Sequence, residues 1–235
     1  MPPARAPQDV RVYAVGDIHG CARLLEKLHA LIRADAAAAP AGRKIIVYLG
    51  DYIDRGPESR EVVDLVLAGP GDGFERVCLK GNHEDMLLRF LEGGEDSWTW
   101  RMNGGAATLR SYGVDPEGTD DDGSRKALAG LMPARHRDFF AALETTHIEG
   151  TYLFVHAGLR PGVPIERQSE EDLLWIRGAF LDSPADWGYT VVQGHSAGPE
   201  LEVRAIRINL DTGAVWTGRL TSMVFHGDRR DALQT

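Results

Sequence analysis

The chain has 235 residues, 43% of them apolar and 26% charged, enough to bury a full core in one large domain or two small ones. Its net charge of -9 disfavours nonspecific binding to nucleic acid or to an anionic membrane. Two cysteines, Cys21 and Cys78, cannot build a disulfide framework and suit a reducing cytoplasm as small buried side chains.

In chain order, residues 1–8 read as a Pro-rich flexible lead-in without the apolar core of a secretory signal. No apolar run approaches the ~18 residues of a membrane span, so a cytoplasmic protein with no membrane partner is expected. Val10–Val15 has the character of a strand, and Arg23–Ala34 has helical spacing through Leu24, Leu28, Leu31 and Ile32. After a loop over Ala36–Gly42, Lys44–Leu49 reads as a strand and Pro57 opens a helix with Val62, Val63, Leu65 and Val66 on its apolar side. Phe74–Lys80 is a third predicted strand and Glu84–Leu91 a third helix. This βαβαβα order favours a parallel sheet.

The segment 93–146 differs. It carries Trp98, Trp100, the pair Gly104-Gly105, an acidic loop at Glu117–Gly123, and helical stretches near Arg125–Leu131 and Ala134–Leu143, so it reads as a mostly helical insert. The last third is strand-rich: His147–Ile148, Tyr152–Val155, Thr190–Gln193, Val203–Leu210, Ala214–Leu220 and Thr221–Phe225, with a turn signal at Asp211-Thr212-Gly213. A single domain over 9–226 is expected, with 227–235 as a polar tail. Parallel strands first and antiparallel strands last suggest two sheets packed face to face with helices outside, an α/β four-layer arrangement.

Metal-seeking and phosphate-seeking side chains gather where predicted strands end: Gly16-Asp17-Ile18-His19-Gly20, Gly50-Asp51-Tyr52-Ile53-Asp54-Arg55-Gly56, Gly81-Asn82-His83-Glu84, Val155-His156-Ala157-Gly158 and Gly194-His195-Ser196. Strand ends of one sheet converge on a single edge, so polar groups placed there describe a site. In extended chain, residues i and i+2 point the same way, so Asp17 and His19 can hold one cation together. Asp51 is placed to share that ion and bridge to a second, which Asn82, His156 and His195 would complete. Mixed oxygen and imidazole donors suit two divalent ions, manganese first, with iron and zinc as alternatives; the absence of thiolates argues against a closed structural zinc site. His83, beside Asn82, is the candidate general acid, with Asp54 holding its other ring nitrogen. Arg55 and Arg177 are candidate phosphate clamps, and Arg160 a weaker third. Glu84 reads as a charge at a helix N-terminus.

These motifs resemble those of the phosphoprotein phosphatase family of binuclear metallophosphoesterases, whose GDxHG, GDxxDRG, GNHE, HAG and GH signatures occur here in the same order. The bacterial branch, with its serine/threonine phosphatases and symmetrical diadenosine tetraphosphatases, is the more similar one. The resemblance implies a calcineurin-like β-sandwich of two mixed sheets flanked by helices. It implies Asp17, His19 and Asp51 on one metal, and Asp51, Asn82, His156 and His195 on the other. The His83–Asp54 acid pair and Arg55 and Arg177 on phosphate follow from it as well. One departure is Ser196-Ala197-Gly198 after the last histidine, where the family usually has Thr-Pro.

The expected activity is hydrolysis of phosphoserine and phosphothreonine in proteins by direct attack of a metal-bridging hydroxide. Symmetrical cleavage of dinucleoside tetraphosphates is the alternative, with Trp98 or Trp100 available to stack adenine, and an inactive phospho-ligand binding module is the third reading. The implied partners are a phosphorylated protein or small molecule, without nucleic acid and without a regulatory subunit of the eukaryotic type.

Overall fold

The computed structural model describes residues 4–39, 42–93 and 97–235. Strands β1 (Val10–Val15), β2 (Arg43–Tyr48) and β3 (Phe74–Cys78) run parallel, joined through helices α1 (Ala22–Ala38) and α2 (Ser59–Ala68). On the other side of β1, β9 (Thr221–His226) and β10 (Arg229–Gln234) add antiparallel, giving the order β10-β9-β1-β2-β3. A second five-stranded sheet has the order β4-β5-β6-β8-β7, built from Thr146–Glu149, Tyr152–Val155, Thr190–Gln193, Glu202–Val203 and Arg207–Asn209 in chain order. It too is mixed: β5 pairs parallel with β6 and β6 with β8, while the outer strands β4 and β7 are antiparallel to their neighbours.

The two-residue period of a strand explains the layering. Val12 and Ala14 of β1, Ile45 and Val47 of β2, and Met223 and Phe225 of β9 face Tyr152, Phe154, Val192 and Ile208 of the second sheet in one buried cluster. The alternate residues, Tyr13, Val15, Ile46 and Tyr48, pack outward with α1, α2, α3 (Asn82–Glu92) and the helices of the insert. On the far side, Leu153, Val155 and Val191 pack against α8 (Glu170–Trp175) and α9 (Gly178–Leu181). Strands buried on both faces must be apolar throughout, which is why these segments read as continuous apolar runs.

The segment 93–146 is mostly helical over its described residues: α4 (Ser97–Trp100), a kinked turn at Arg101–Gly105, α5 (Ala106–Ser111), α6 (Asp121–Leu131) and α7 (Ala134–Ala141), with non-helical chain at 112–120. Residues 40, 41 and 94–96 lie outside the described residues, so part of the expected loop 36–42 does too; its start, Ala36–Ala38, is the last turn of α1.

Four expectations are corrected. Ala214–Leu220 is not a strand: Ala214–Thr217 forms a helical turn, α10, because Asp211 accepts the Gly213 N–H (2.9 Å) and Thr217 Oγ1 donates to the Thr212 carbonyl (2.8 Å). Val203–Leu210 is split into β7 and β8 by a turn closed from Arg204 N–H to the Arg207 carbonyl (2.8 Å). The polar tail is strand β10, an edge strand whose charged residues face solvent, as edge strands tolerate. The lead-in is packed over its described part: Ala6 is buried and donates to the Gly227 carbonyl, while Thr151 N–H donates to the Arg5 carbonyl, which ties a turn of each sheet together.

Buried on α1, His29 meets the Tyr48 hydroxyl at 2.8 Å, and burial followed by the charge of Arg33 lowers its pKa to about 4. A histidine held neutral by the fold destabilises it on acidification: the unfolded chain takes up the proton near pH 6.5, the folded chain only near 4. Stability to urea should therefore fall as pH drops from about 6.5 to about 4, by up to about 3 kcal/mol from this group. His29→Gln should flatten that part of the profile.

Candidate metal centre and active site

The carboxyl ends of β1, β2, β3, β5 and β6 lie on one edge of the sandwich, and the expected ligands follow them. The backbone ties the ends together: Ile18 and His19 N–H both donate to the Asp51 carbonyl (3.0 and 2.9 Å), and Gly194 N–H donates to the His156 carbonyl (2.9 Å). Asp17, His19, Asp51, Asp54, Asn82, His83, His156 and His195 are all buried. Among the described residues, the non-glycine positions with left-handed φ are His19 (46°), Asp51 (52°), Asp54 (71°), Arg55 (66°) and His195 (64°), every one a site residue. Backbone strain of this kind persists only where surrounding contacts over-determine it.

Two groups of donors share Asp51. On one side His19 Nε2 is 3.5 Å and His83 Nε2 3.9 Å from Asp51 Oδ2; on the other, His156 Nε2 is 3.4 Å from Asp51 Oδ1. His156 Nε2 and His195 Nδ1 both face Asn82 Oδ1 at 2.9 Å. The tautomers follow from the backbone: His19 Nδ1–H donates to the Ile53 carbonyl (2.9 Å) and His156 Nδ1–H to the Leu49 carbonyl (2.8 Å). Burial keeps both rings neutral, lowering His19 to about 3 and His156 below its usual range, and burial likewise lowers His195. The Nε2 lone pair of His156 therefore points at the oxygens of Asn82 and Asp51, an arrangement that a cation satisfies, while that of His19 faces Asp51 and is met by a guanidinium N–H of Arg55.

Asp17 stands slightly apart. Its carboxylate accepts the His195 N–H (3.2 and 3.0 Å), outside the tight His19–Asp51 group to which the sequence assigned it. Burial, then the charges of Asp211 and Asp51, push its pKa well above the usual carboxylate range; Asp211 is raised by its own burial. The pocket thus concentrates negative charge that water cannot reach, and the donor set fits divalent cations: His19 and Asp51 with Asp17 adjoining on one side, Asp51, Asn82, His156 and His195 on the other. Bound there, such ions would supply a nucleophile from water near neutral pH and neutralise charge on phosphoryl oxygens.

His83 Nδ1 lies 2.7 Å from Asp54 Oδ2. Burial works against its imidazolium, but the carboxylates of Asp51 and Asp54 outweigh it and raise the pKa above the ordinary value. Backed by a carboxylate and facing the donor groups, the ring is placed for a general acid once its Nε2 is protonated. Arg55 reaches over it, one guanidinium nitrogen on His19 Nε2 and the other 3.0 Å from His83 Nε2, so a positive group already faces the donor lone pairs. Arg177, exposed at the start of α9, lies close enough for its charge to help depress His156 and His195. Arg160 does not join them: Asp172 engages its guanidinium with both carboxylate oxygens.

Sequence reasoning missed three residues. Glu84 is no surface charge. Fully buried, it accepts N–H bonds from Asp51 (2.9 Å), Tyr52 (2.9 Å), Ile53 (3.4 Å) and Gly81 (2.9 Å), and so holds the Asp51 loop in its left-handed turn. Asp211, taken only as a turn signal, lies beside Asp17. Trp216 follows on α10, 64% exposed, with the Arg55 guanidinium 5.1 Å from its ring centre. Trp100, by contrast, is buried and donates Nε1–H to Asp54 Oδ2 (2.9 Å), so it is unavailable to stack on a substrate.

Residues 10–217 match the calcineurin-like phosphoesterase family. The chain belongs to that family. It is 28% identical to the PrpE bis(5'-nucleosyl)-tetraphosphatase (asymmetrical) of Anoxybacillus flavithermus, covering 89% of this chain and 88% of that one. It is 30% identical to serine/threonine-protein phosphatase 2 of Escherichia coli, over 89% of this chain and 90% of its relative. Among solved structures, that of a putative diadenosine tetraphosphatase superposes with a TM-score of 0.64 at 25% identity, covering 97% of this chain and 98% of the other. The bacterial phosphoprotein phosphatase resemblance is thereby borne out, as is the two-sheet metallophosphoesterase fold. Among the described residues, no helix is long and apolar enough to cross a membrane.

Asp51→Asn should lower the bound content of both cations, read by elemental analysis after dialysis against manganese or zinc, and remove nearly all activity. An unchanged stoichiometry would exclude a shared ligand. Glu84→Gln turns an amide NH₂ toward backbone N–H groups, so it should lower the melting temperature and weaken metal retention together. Calorimetry with and without a chelator checks this, because breaking a buried polar cluster leaves orphaned donors.

Proposed function

We propose that this chain is a divalent-metal-dependent phosphohydrolase acting on nucleotide-bearing phosphoanhydrides, the class of P1,P4-dinucleoside tetraphosphates. The observation that carries the reading is Trp216, an exposed indole against the Arg55 guanidinium, which itself reaches His19 and His83. A planar base next to a bound phosphate chain finds an aromatic face there. The names of the PrpE relative and of the putative diadenosine tetraphosphatase agree with this class. The relative's name specifies asymmetrical cleavage, where the sequence reading expected the symmetrical kind.

In this reading Arg55 and Arg177 orient phosphate oxygens, and the buried ligands fix where the attacking water and the phosphorus meet. His83 delivers its Nε2 proton to the departing oxygen, with Asp54 holding the other side of the ring. Neutral His156 offers its lone pair to metal at physiological pH, and neutral His19 does so once Arg55 turns from it to phosphate. Manganese as the native ion and a cytoplasmic location belong to the same proposal.

A second reading, hydrolysis of phosphoserine and phosphothreonine in proteins, has its own support. Serine/threonine-protein phosphatase 2 is the 30%-identical relative, and a cavity of about 390 Å³ runs beside Trp175, which meets the His195 ring edge-on. Its walls include Asp85, Arg89 and Glu171, groups suited to a peptide backbone and its charges.

Steady-state kinetics of the manganese-loaded protein on a dinucleoside tetraphosphate and on a phosphoserine peptide separate the two. The dinucleotide should show the higher kcat/KM, and Trp216→Ala should raise its KM about tenfold, the scale of one lost base stack, with little effect on the peptide. A phosphopeptide preferred about a thousandfold, or a Trp216→Ala variant equally impaired on both, would remove the nucleotide reading.

A further inference from the structure

The helical insert supplies more than packing. Asp54, the partner of His83, has a fully buried carboxylate whose contacts come largely from residues about 50 positions away in sequence. Its Oδ2 takes the Nδ1–H of His83 (2.7 Å) and the Nε1–H of Trp100 (2.9 Å); its Oδ1 takes the hydroxyl of Thr108 (2.6 Å). Thr108 Oγ1 also accepts the backbone N–H of Asp54 (2.9 Å) and meets the Ser59 hydroxyl at 3.0 Å. Thr108 thus grips both ends of a residue that sits at a left-handed φ of 71°.

An unbroken α-helix could not bring these two side chains to one carboxylate. Eight residues of helix separate them by about 12 Å along the axis. The chain breaks the helix between them with a kink at Gly104, which takes φ 109°. A side chain at Gly104 would stand 2.6 Å from the Arg55 backbone nitrogen, which donates to the Gly104 carbonyl at 3.3 Å. A side chain at Gly105 would strike the Trp100 ring at 2.5 Å. The glycine pair therefore lets the segment fold back on itself against the Asp54–Arg55 turn.

We propose that Trp100 and Thr108 are positioning residues for proton transfer: they fix the Asp54 carboxylate so that it aims His83 at the departing oxygen, and Gly104-Gly105 exists to place them. This rests on His83 being the general acid. Two hydrogen bonds from the insert hold both oxygens of Asp54, and a carboxylate free to rotate would hold the imidazole in more than one orientation. The effect is confined to steps that need the proton.

The test uses the metal-loaded full chain with two aryl phosphates, phenyl phosphate with a poor leaving group and 2,4-dinitrophenyl phosphate with a good one. Thr108→Val removes the three hydrogen bonds of its hydroxyl at nearly constant volume, and Trp100→Phe removes the one indole N–H bond to Asp54 while keeping an aromatic ring. Each should lower kcat on phenyl phosphate about tenfold, a part of the 10²–10⁴ a positioned acid contributes, and change kcat on the dinitrophenyl ester less than about twofold. KM and metal content should stay as in the parent, and Thr108→Ser, which keeps the hydroxyl, should restore the rate. Equal losses on both esters, or no loss on either, would overturn the proposal. If Trp100→Phe does not fold, the Thr108→Val and Thr108→Ser pair decides it alone. His83→Asn is the reference: without a leaving-group effect of its own, the acid assignment fails and the positioning role with it. If His83→Asn shows the effect and the Thr108 variants do not, only the positioning role is lost.

Discussion

One carboxylate, that of Asp51, faces both halves of the donor set, and the local structure is arranged to keep it there. Its left-handed backbone would relax if free, yet Glu84 receives three successive N–H groups of the turn and the Gly81 N–H from the start of α3. The Asp51 carbonyl in turn receives the N–H groups of Ile18 and His19. The ends of β1, β2 and β3 are thereby fastened around a single residue. A buried acid with four backbone donors is a stiff connector, because each donor left without it would lie in a place water cannot reach.

Electrostatics follows from that placement. Asp17, Asp51 and Asp211 are buried together, and burial with mutual repulsion raises the pKa of Asp17. Burial also holds His19, His156 and His195 in the neutral form, so these rings act as lone-pair donors rather than counter-charges. Positive charge reaches the pocket through Arg55, and the carboxylates of Asp51 and Asp54 favour protonation of His83. The donor set and the His83–Asp54 pair thus share one buried region of negative charge, with Asp51 facing the lone-pair donors and Asp54 the ring of His83.

How much of this was legible in the sequence depended on range. Ligands one or two residues past an apolar run, such as Asp17, His19 and His156, announce themselves because strand ends and site coincide. The pairing of His83 with Asp54 could be guessed from motif spacing. Glu84 could not be told from an ordinary helix-start charge, since its partners are backbone N–H groups that carry no sequence signal. The same holds for α10: apolar residues after a turn look like a strand until Asp211 and Thr217 cap them into a helical turn. Trp100, offered by the sequence as a stacking surface, is buried by packing with Phe90 and Gly105, while Trp216, which carried no motif signal, is exposed. The tail, polar enough to look free, pairs through main-chain groups with β9 whatever its side chains are.

The division of labour across the site also bears on selectivity. The candidate cation ligands are buried and sit at strand ends or at the start of α3. The groups that differ in exposure lie outside that shell: Trp216 against Arg55 on one side, Trp175 edge-on to His195 on the other. Both sit on short helices following strands rather than in the strands. Under the proposed reading, a planar base gains contact area on an indole without any change to the buried ligands, and the buried geometry is common to either class of substrate.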